Sequence, residues 1–227
     1  MSTLSNVETP EEEVISSRIG LTSDAIPSAK SSRSGVSVEY THDANKQWFV
    51  FRASYGREDK AYDYIVEDGM YAYIAKREVI KDVQGKRRRV LEPLIPNLIF
   101  VYTTEETAYL YAKNTPELSY LSFYYNHFRK TDDQKNPPLT IPYKEMENFI
   151  KATSTHDKHL LFVDPEKCHF KSGELVRVVD GAFKGVEGKV ARVSGQQRVI
   201  LKLSEVGLIS TAYIPSAFIE KITIANS

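Results

Sequence analysis

The sequence has 227 residues, with 30 basic and 30 acidic side chains and a formal net charge of zero. This length accommodates one large domain or two small ones, and zero net charge is not typical of a generally basic nucleic-acid-binding protein. The sequence contains no run of about 18 apolar residues, so no membrane-spanning helix is predicted. The N-terminus lacks a secretory-signal pattern. A single Cys168 cannot form an internal disulfide, so we expect a cytoplasmic protein.

Residues 1–45 form the first compositional segment. They carry three basic and seven acidic side chains, are rich in Ser and Thr, and show no sustained apolar periodicity. Such a segment buries too little apolar surface to offset its ordering entropy. We therefore predict a disordered acidic tail.

Residues 46–152 alternate strand and helix patterns. The predicted strands include a hairpin that turns at Gln84-Gly85-Lys86, and they are Gln47–Ala53, Met70–Lys76, Val79–Val83, Arg87–Leu91, Asn97–Tyr102 and Tyr120–Tyr125. Three helices are predicted. The first is Arg57–Asp68; the second begins at a capping box of Thr103 and Glu106 and ends at Lys113; the third begins at Pro142. This order predicts an α+β domain with helices packed on an antiparallel sheet.

Residues 153–170 lack a clean period and are predicted to be a linker. Residues 171–227 differ in texture, because five short β-rich runs are separated by Gly-containing turns. The five runs are Glu174–Val179, Gly188–Val193, Arg198–Leu203, Leu208–Ile214 and Ala217–Ile222. That spacing predicts a small β-barrel.

The stretch Gly173–Val190 (GELVRVVDGAFKGVEGKV) resembles a KOW motif. It contains a strand, a tight turn at Asp180-Gly181, an exposed Phe183 and a second strand that Gly188 allows to pack closely. KOW modules occur in ribosomal proteins and transcription factors, so the motif alone implies work near RNA.

The first domain resembles the N-terminal domain of the NusG family. Trp48-Phe49-Val50 in the opening strand and Gly56 before a helix match its start, and Gly85–Val101 (GKRRRVLEPLIPNLIFV) matches a basic hairpin arm followed by a Pro-containing approach to a strand. The form of Glu92–Asn97 is similar to specialised RfaH-like and UpxY-type paralogues. The resemblance covers roughly residues 46–224 and implies an NGN domain followed by an SH3-like KOW barrel.

The resemblance implies that an apolar concavity on the first domain docks the β′ clamp helices of RNA polymerase. The matching positions are Trp48, Phe51, Ile95, Pro96 and Leu98. Leu98 stands where the family usually has Tyr, so we expect an apolar contact without a hydroxyl. The alternative is that these residues are sheet core, which strand alternation permits for about half of them.

Basic residues form two groups in the first domain. The predicted hairpin carries Lys86, Arg87, Arg88 and Arg89, whereas Arg52, Arg57 and Lys60 surround the first strand–helix corner with Tyr55. In RfaH-like proteins that corner faces the non-template DNA strand, and cations with a stacking ring suit single-stranded DNA. The alternative for the hairpin is a charged edge that discourages aggregation.

For the barrel, the resemblance implies a second partner, in the family often a ribosomal protein or a termination factor. The candidate contact residues are Asp180, Gly181, Phe183 and Lys184.

We find no pattern typical of catalysis or cofactor binding. His156, His159, Cys168 and His169 match no standard zinc spacing. We therefore expect a monomeric, non-enzymatic, specialised transcription elongation or antitermination factor that serves particular operons, for example in polysaccharide biosynthesis. The alternatives are a general housekeeping NusG and a KOW-type ribosomal or RNA-processing protein.

Overall fold

A computed structural model describes residues 42–163, 173–193 and 195–222. The predicted tail lies almost entirely outside these ranges, as do Cys168 and His169. The first domain contains three helices: α1 (Glu58–Glu67), α2 (Glu105–Tyr109) and α3 (Tyr143–Thr153). Its strands are β1 (Gln47–Ala53), β2 (Tyr71–Tyr73), β3 (Lys76–Val83), β4 (Lys86–Pro93), β5 (Leu98–Thr103), β6 (Leu121–Phe123) and β7 (Thr140–Ile141).

The main sheet is antiparallel and has the order β2-β5-β1-β6, with β7 also paired to β1. All six residues of β5 are buried, so this strand has packing partners on both of its faces. Ile99 and Val101 belong to the core beneath α1 and α2, whereas Leu98 and Phe100 belong to the core shared with α3 and the second domain. The predicted buried strand is confirmed, and the sheet separates two apolar layers.

The helix after β5 begins one residue later than the sequence predicts. Thr104, not Thr103, is its N-cap, and the Thr104 hydroxyl oxygen accepts a hydrogen bond from the Thr107 amide at 3.3 Å. Thr103 is fully buried as the last residue of β5. The regular helix ends at Tyr109 and continues as a π-helical turn over Leu110–Asn114.

The strands of the second domain are β8 (Leu161–Val163), β9 (Leu175–Val178), β10 (Glu187–Val193), β11 (Gln196–Leu203), β12 (Gly207–Ser210) and β13 (Ile219–Lys221). They form an antiparallel sheet with the order β13-β9-β10-β11-β12-β8. The last five correspond to the five predicted runs. β8 comes from the segment predicted as a linker and pairs with β12 at Ile209↔Phe162. The predicted fold class, an α+β domain followed by a small all-β module, is confirmed.

Gly188 lies where β10 passes against β11. A Cβ at this position would lie 2.5 Å from the carbonyl oxygen of Ile200 and 2.7 Å from a methyl group of Val199. The first of these is a backbone atom, so relieving the overlap would require the strand itself to shift.

We predict that Gly188→Ala lowers the free energy of unfolding by about 1–3 kcal/mol, because the added methyl group overpacks the contact between β10 and β11. Urea denaturation measures the change. Lys189→Ala, one residue further along the same strand and exposed, is the control and should change stability by less than about 0.5 kcal/mol. Equal stability of both variants would contradict close packing at Gly188.

Candidate functional site

A cleft of about 510 Å³ lies between the two domains. The first domain contributes residues from β1, the approach to β5, the start of β5 and the loop after β6, namely Arg52, Ile95, Pro96, Leu98, Tyr124 and Phe128. The second domain contributes β8 and the end of β11 onwards, namely Phe162, Lys202, Ser204, Glu205, Val206 and Leu208. The cleft therefore brings together three of the five residues predicted for docking.

Ile95 and Leu98 are each 6 % exposed and belong to the same apolar cluster as Val206 of the second domain. Pro96 is exposed at the rim. In this arrangement the second domain covers the surface that the sequence predicts for docking.

The other two predicted docking residues lie elsewhere. Phe51 belongs to the core beneath α1 and α2, where its ring stacks on Phe123 at 5.0 Å between centroids. Since alternate residues of a strand point to opposite faces, Phe51 does not share a surface with Leu98. Trp48 is on the same face as Leu98 but is fully buried against Tyr102. Both are core residues, which is the alternative that strand alternation left open.

Polar contacts from α3 hold the second domain in place. The Asn148 side chain makes two hydrogen bonds to the backbone of Glu187, and its carbonyl oxygen accepts from the Glu187 amide at 2.7 Å. The Glu145 carboxylate accepts from both the amide and the hydroxyl of Ser204, at 2.8 Å each. Hydrogen bonding from Arg177 lowers the pKa of Glu187 below its ordinary value, which keeps this residue charged opposite Lys144 (3.5 Å).

The predicted strand–helix corner forms a compact cluster of rings and cations. Tyr55 is 88 % exposed and has a left-handed backbone, with φ of 62°. The Arg57 guanidinium lies 5.4 Å from the Tyr55 ring and 5.1 Å from the Tyr120 ring, and the Lys60 ammonium lies 5.7 Å from the Tyr120 ring. Burial raises the pKa of Tyr120, and nearby Arg57 opposes that rise.

The backbone of this corner is fixed by Asn97. The Asn97 side-chain oxygen accepts from the Gly56 amide at 3.1 Å, and the Asn97 amide donates to the buried Glu58 carboxylate at 3.4 Å. A non-glycine residue held at positive φ is common where a binding residue is positioned. The corner presents Tyr55 outward on a supported turn.

Arg52 is not part of this corner. It is directly opposite Leu98 in the sheet and therefore shares the face of the cleft, where its guanidinium lies 5.9 Å from the Tyr124 ring. Sequence proximity grouped Arg52 with Arg57, but the alternation of β1 separates them.

The predicted basic hairpin is the two-stranded sheet β3–β4, and all four residues from Lys86 to Arg89 are exposed. Arg89 lies 3.6 Å from the Glu78 carboxylate. Hydrogen bonding from Lys81 lowers the pKa of Glu92, which also lies near Arg77.

Phe183 is 6 % exposed and lies in the apolar core with Val178 and Val186. The expectation of an exposed ring is wrong, because the turn after Asp180 folds the ring back onto the sheet. Asp180, Gly181 and Lys184 are exposed, and they remain the accessible part of the predicted contact site.

Sequence reasoning missed every cleft residue of the second domain, because only tertiary structure brings that domain to the cleft. In the first domain it missed three aromatic residues: Tyr120, Tyr124 and Phe128. Tyr120 and Tyr124 were placed only in a predicted strand. Phe128 is 79 % exposed and sits in the segment His127–Lys130 (HFRK). An aromatic residue among polar and basic neighbours is the signal that could have found it.

Within residues 42–163, 173–193 and 195–222, no group of three metal-ligating side chains comes together. Over the same ranges, no helix is long and apolar enough to cross a membrane.

Residues 46–150 match the family model described as transcription termination factor NusG, and residues 172–202 match the KOW motif. Over these two segments the chain is similar to the NusG family. Both modules occur in the predicted order, and the chain is a NusG-like transcription factor.

The relatives of this NusG-like protein are distant in sequence. The transcription termination/antitermination protein NusG of Lactococcus lactis is 24 % identical over 66 % of this chain and 80 % of its own length. The protein of the same name from Streptococcus pyogenes serotype M3 is 23 % identical over 75 % of this chain and 93 % of its own. A solved structure described as domain interaction in Thermotoga maritima NusG is 18 % identical, with a TM-score of 0.36, and covers 78 % of this chain and 98 % of that one.

We predict that Phe183→Ala in this NusG-like protein lowers the free energy of unfolding by about 3–5 kcal/mol, as expected for truncating a buried Phe. Thermal denaturation measures the loss. Phe128→Ala removes the same ring from an exposed position and should change stability by less than about 0.5 kcal/mol. Wild-type stability of Phe183→Ala, with loss of binding to a second partner, would instead restore the exposed-ring interpretation.

Proposed function

We propose that this protein is a specialised NusG-like elongation or antitermination factor that binds the β′ clamp helices of RNA polymerase and promotes processive transcription of particular operons. The observation that carries the proposal is the apolar surface of Ile95 and Leu98 on a domain that matches the NusG model. An amphipathic helix buries its apolar face in such a groove. Tyr124 and Phe128 supply aromatic rings at its edge.

Docking on this surface requires the second domain to move away. Ile95 and Leu98 are too buried to contact a partner while Val206 packs in the same cluster. The contacts of Glu145 and Asn148 stabilise the closed arrangement. A partner that binds only the open state shifts the population toward it by its differential affinity.

We predict that Ile95→Ala/Leu98→Ala weakens binding to purified polymerase about tenfold or more, because truncating a central apolar contact costs about 2 kcal/mol or more. Biolayer interferometry measures the dissociation constant. Since both side chains are buried, loss of stability must be separated from loss of contact. Ile65→Ala truncates an equally buried residue in the opposite core and should bind as wild type.

A second arm of this experiment tests the closed arrangement. Glu145→Ala/Asn148→Ala removes hydrogen bonds to the second domain without changing Ile95 or Leu98, so polymerase binding should stay equal or become tighter. Wild-type binding by Ile95→Ala/Leu98→Ala would place the docking surface elsewhere. Weaker binding by the Glu145→Ala/Asn148→Ala variant would contradict coverage by the second domain.

We further propose that the corner of Tyr55, Arg57 and Lys60 binds the non-template DNA strand. The exposed ring and the two adjacent cations suit single-stranded DNA, which is held by stacking and by phosphate contacts. The Tyr120 ring makes cation–π contacts with both Arg57 and Lys60. Arg52 lies on the cleft face of the sheet, so it could contact DNA only from the cleft and not as part of this corner.

We predict that Arg57→Ala/Lys60→Ala flattens the salt dependence of recruitment to stalled elongation complexes, by a slope of about 0.7 per lost contact. Tyr55→Leu should cost about 1–3 kcal/mol through loss of stacking, whereas Tyr55→Phe keeps the ring and should behave as wild type. Complexes stalled on the protein's own leader are compared with complexes on unrelated DNA. A specialised factor prefers one leader, and Arg57→Ala/Lys60→Ala loses that preference.

Equal recruitment to every template would favour a general NusG instead, the function named for the curated relatives. Absence of any polymerase binding would favour a KOW-type ribosomal or RNA-processing protein. For the barrel we propose contact with a ribosomal protein or a termination factor through Asp180, Gly181 and Lys184, which are exposed on one turn.

A further inference from the structure

The β3–β4 hairpin is a long two-stranded ribbon. Eight cross-strand pairs run from Lys76↔Pro93 to Val83↔Lys86, so each arm spans about 27 Å at about 3.4 Å per residue. The turn residues Gln84 and Gly85 have φ of 55° and 75°. Two successive positive φ values are typical of the tight turn that matches strand twist, so the tip is conformationally defined.

The inner half of the ribbon is tied to the first domain. Lys76 forms an ion pair with Asp59 of α1 at 2.6 Å, and the Glu78 amide donates to the carbonyl oxygen of His156 at 3.0 Å. The two acidic side chains of this half form ion pairs with neighbouring cations. Glu92 pairs with Lys81 at 2.8 Å, and Glu78 pairs with Arg89 at 3.6 Å. The base of the hairpin is thus anchored and largely neutralised.

The outer half carries a net positive charge, because Lys86, Arg87 and Arg88 outnumber its single acidic residue, Asp82. Lys86, Arg87 and Arg88 are exposed, and within the described residues no carboxylate lies in ion-pair distance of them. Opposite residues of an antiparallel pair share a face, so Lys86 and Arg88 lie on one face with Lys81. Arg87 lies on the other face, directly opposite Asp82. The tip therefore presents cations on both sides of a narrow ribbon.

We propose that the outer half of this hairpin binds the phosphates of double-stranded DNA. This inference rests on the proposed function in taking as its target the duplex beside the transcribed bubble. The major groove of B-DNA, about 12 Å wide, admits a two-stranded β-ribbon. Cations on both faces of the ribbon can then reach the phosphates along each side of the groove.

The composition of the ribbon favours duplex DNA over other nucleic acids. Residues 76–93 contain no aromatic side chain, whereas single-stranded nucleic acid is bound by rings on which bases stack. The Tyr55 corner offers such a ring, so the two surfaces differ in the kind of nucleic acid they suit. The deep and narrow major groove of duplex RNA does not admit side chains for readout.

The test uses the full chain and fluorescence anisotropy with a labelled DNA duplex of about 20 base pairs, titrated at several salt concentrations. Lys86→Ala/Arg87→Ala/Arg88→Ala is compared with Lys113→Ala/Lys130→Ala/Lys135→Ala, which removes the same charge from exposed positions elsewhere. We expect the hairpin variant to lose about tenfold or more of its duplex affinity and to flatten the salt slope by about 0.9 per lost contact. The control variant should retain wild-type binding.

Single-stranded DNA of the same length, an RNA duplex and purified polymerase are tested in parallel. Equal losses for single-stranded and duplex DNA, equal losses in the control variant, or no salt-dependent binding of wild type to duplex would overturn the proposal. Loss of polymerase binding without loss of duplex binding would assign the hairpin to an acidic protein surface instead. Duplex binding by a wild-type protein that fails to bind polymerase would reject the proposed function and leave the duplex-binding site standing.

Discussion

The burial of β1 and β5 on both faces is the constraint on which the rest of the structure depends. A strand whose successive side chains enter two different cores needs a packing layer on each side. α1 and α2 cover one face, and α3 together with the second domain covers the other. The second domain is therefore part of the closed core of the first, and it supplies apolar partners such as Val206.

The junction between the domains combines this apolar burial with hydrogen bonds of specific geometry. Asn148 contacts the amide and the carbonyl of one barrel residue, Glu187, as a neighbouring strand would. Asn148 is half-buried, and its two bonds to one residue require a particular placement of β10 against α3. These bonds therefore favour one orientation of the barrel. Apolar burial holds the two domains together, and the hydrogen bonds of the Asn148 side-chain amide fix their relative position.

The sequence predicted most elements because their patterns are local. Gln47–Ala53 forms β1 with the predicted bounds, and the hairpin turns at Gln84-Gly85 as predicted, with positive φ at both residues. Errors arose where a side chain's environment depends on distant residues. Phe51 packs against Phe123, and Phe183 returns to the barrel core, which no local pattern reveals.

The candidate site shows the same contrast between features that local sequence predicts and features that depend on distant residues. The apolar stretch around Ile95 and the basic hairpin were found by resemblance and composition, whereas the coverage of Ile95 by the second domain follows only from tertiary structure. β8 was missed because Leu161–Val163 is short and becomes a strand through pairing with β12. Arg52 was misgrouped because proximity in sequence does not determine the face of a sheet.

The pairing of β8 with β12 has a consequence for the energetics of opening. If β8 stays with the barrel, residues 154–160 alone connect α3 to the departing unit, a tether of about 25 Å when fully extended. So short a connection keeps the barrel at a local concentration in about the millimolar range near its old contact surface. A competitor for that surface must overcome this tethered rebinding, so lengthening residues 154–160 would lower the effective concentration of the barrel without altering any contact.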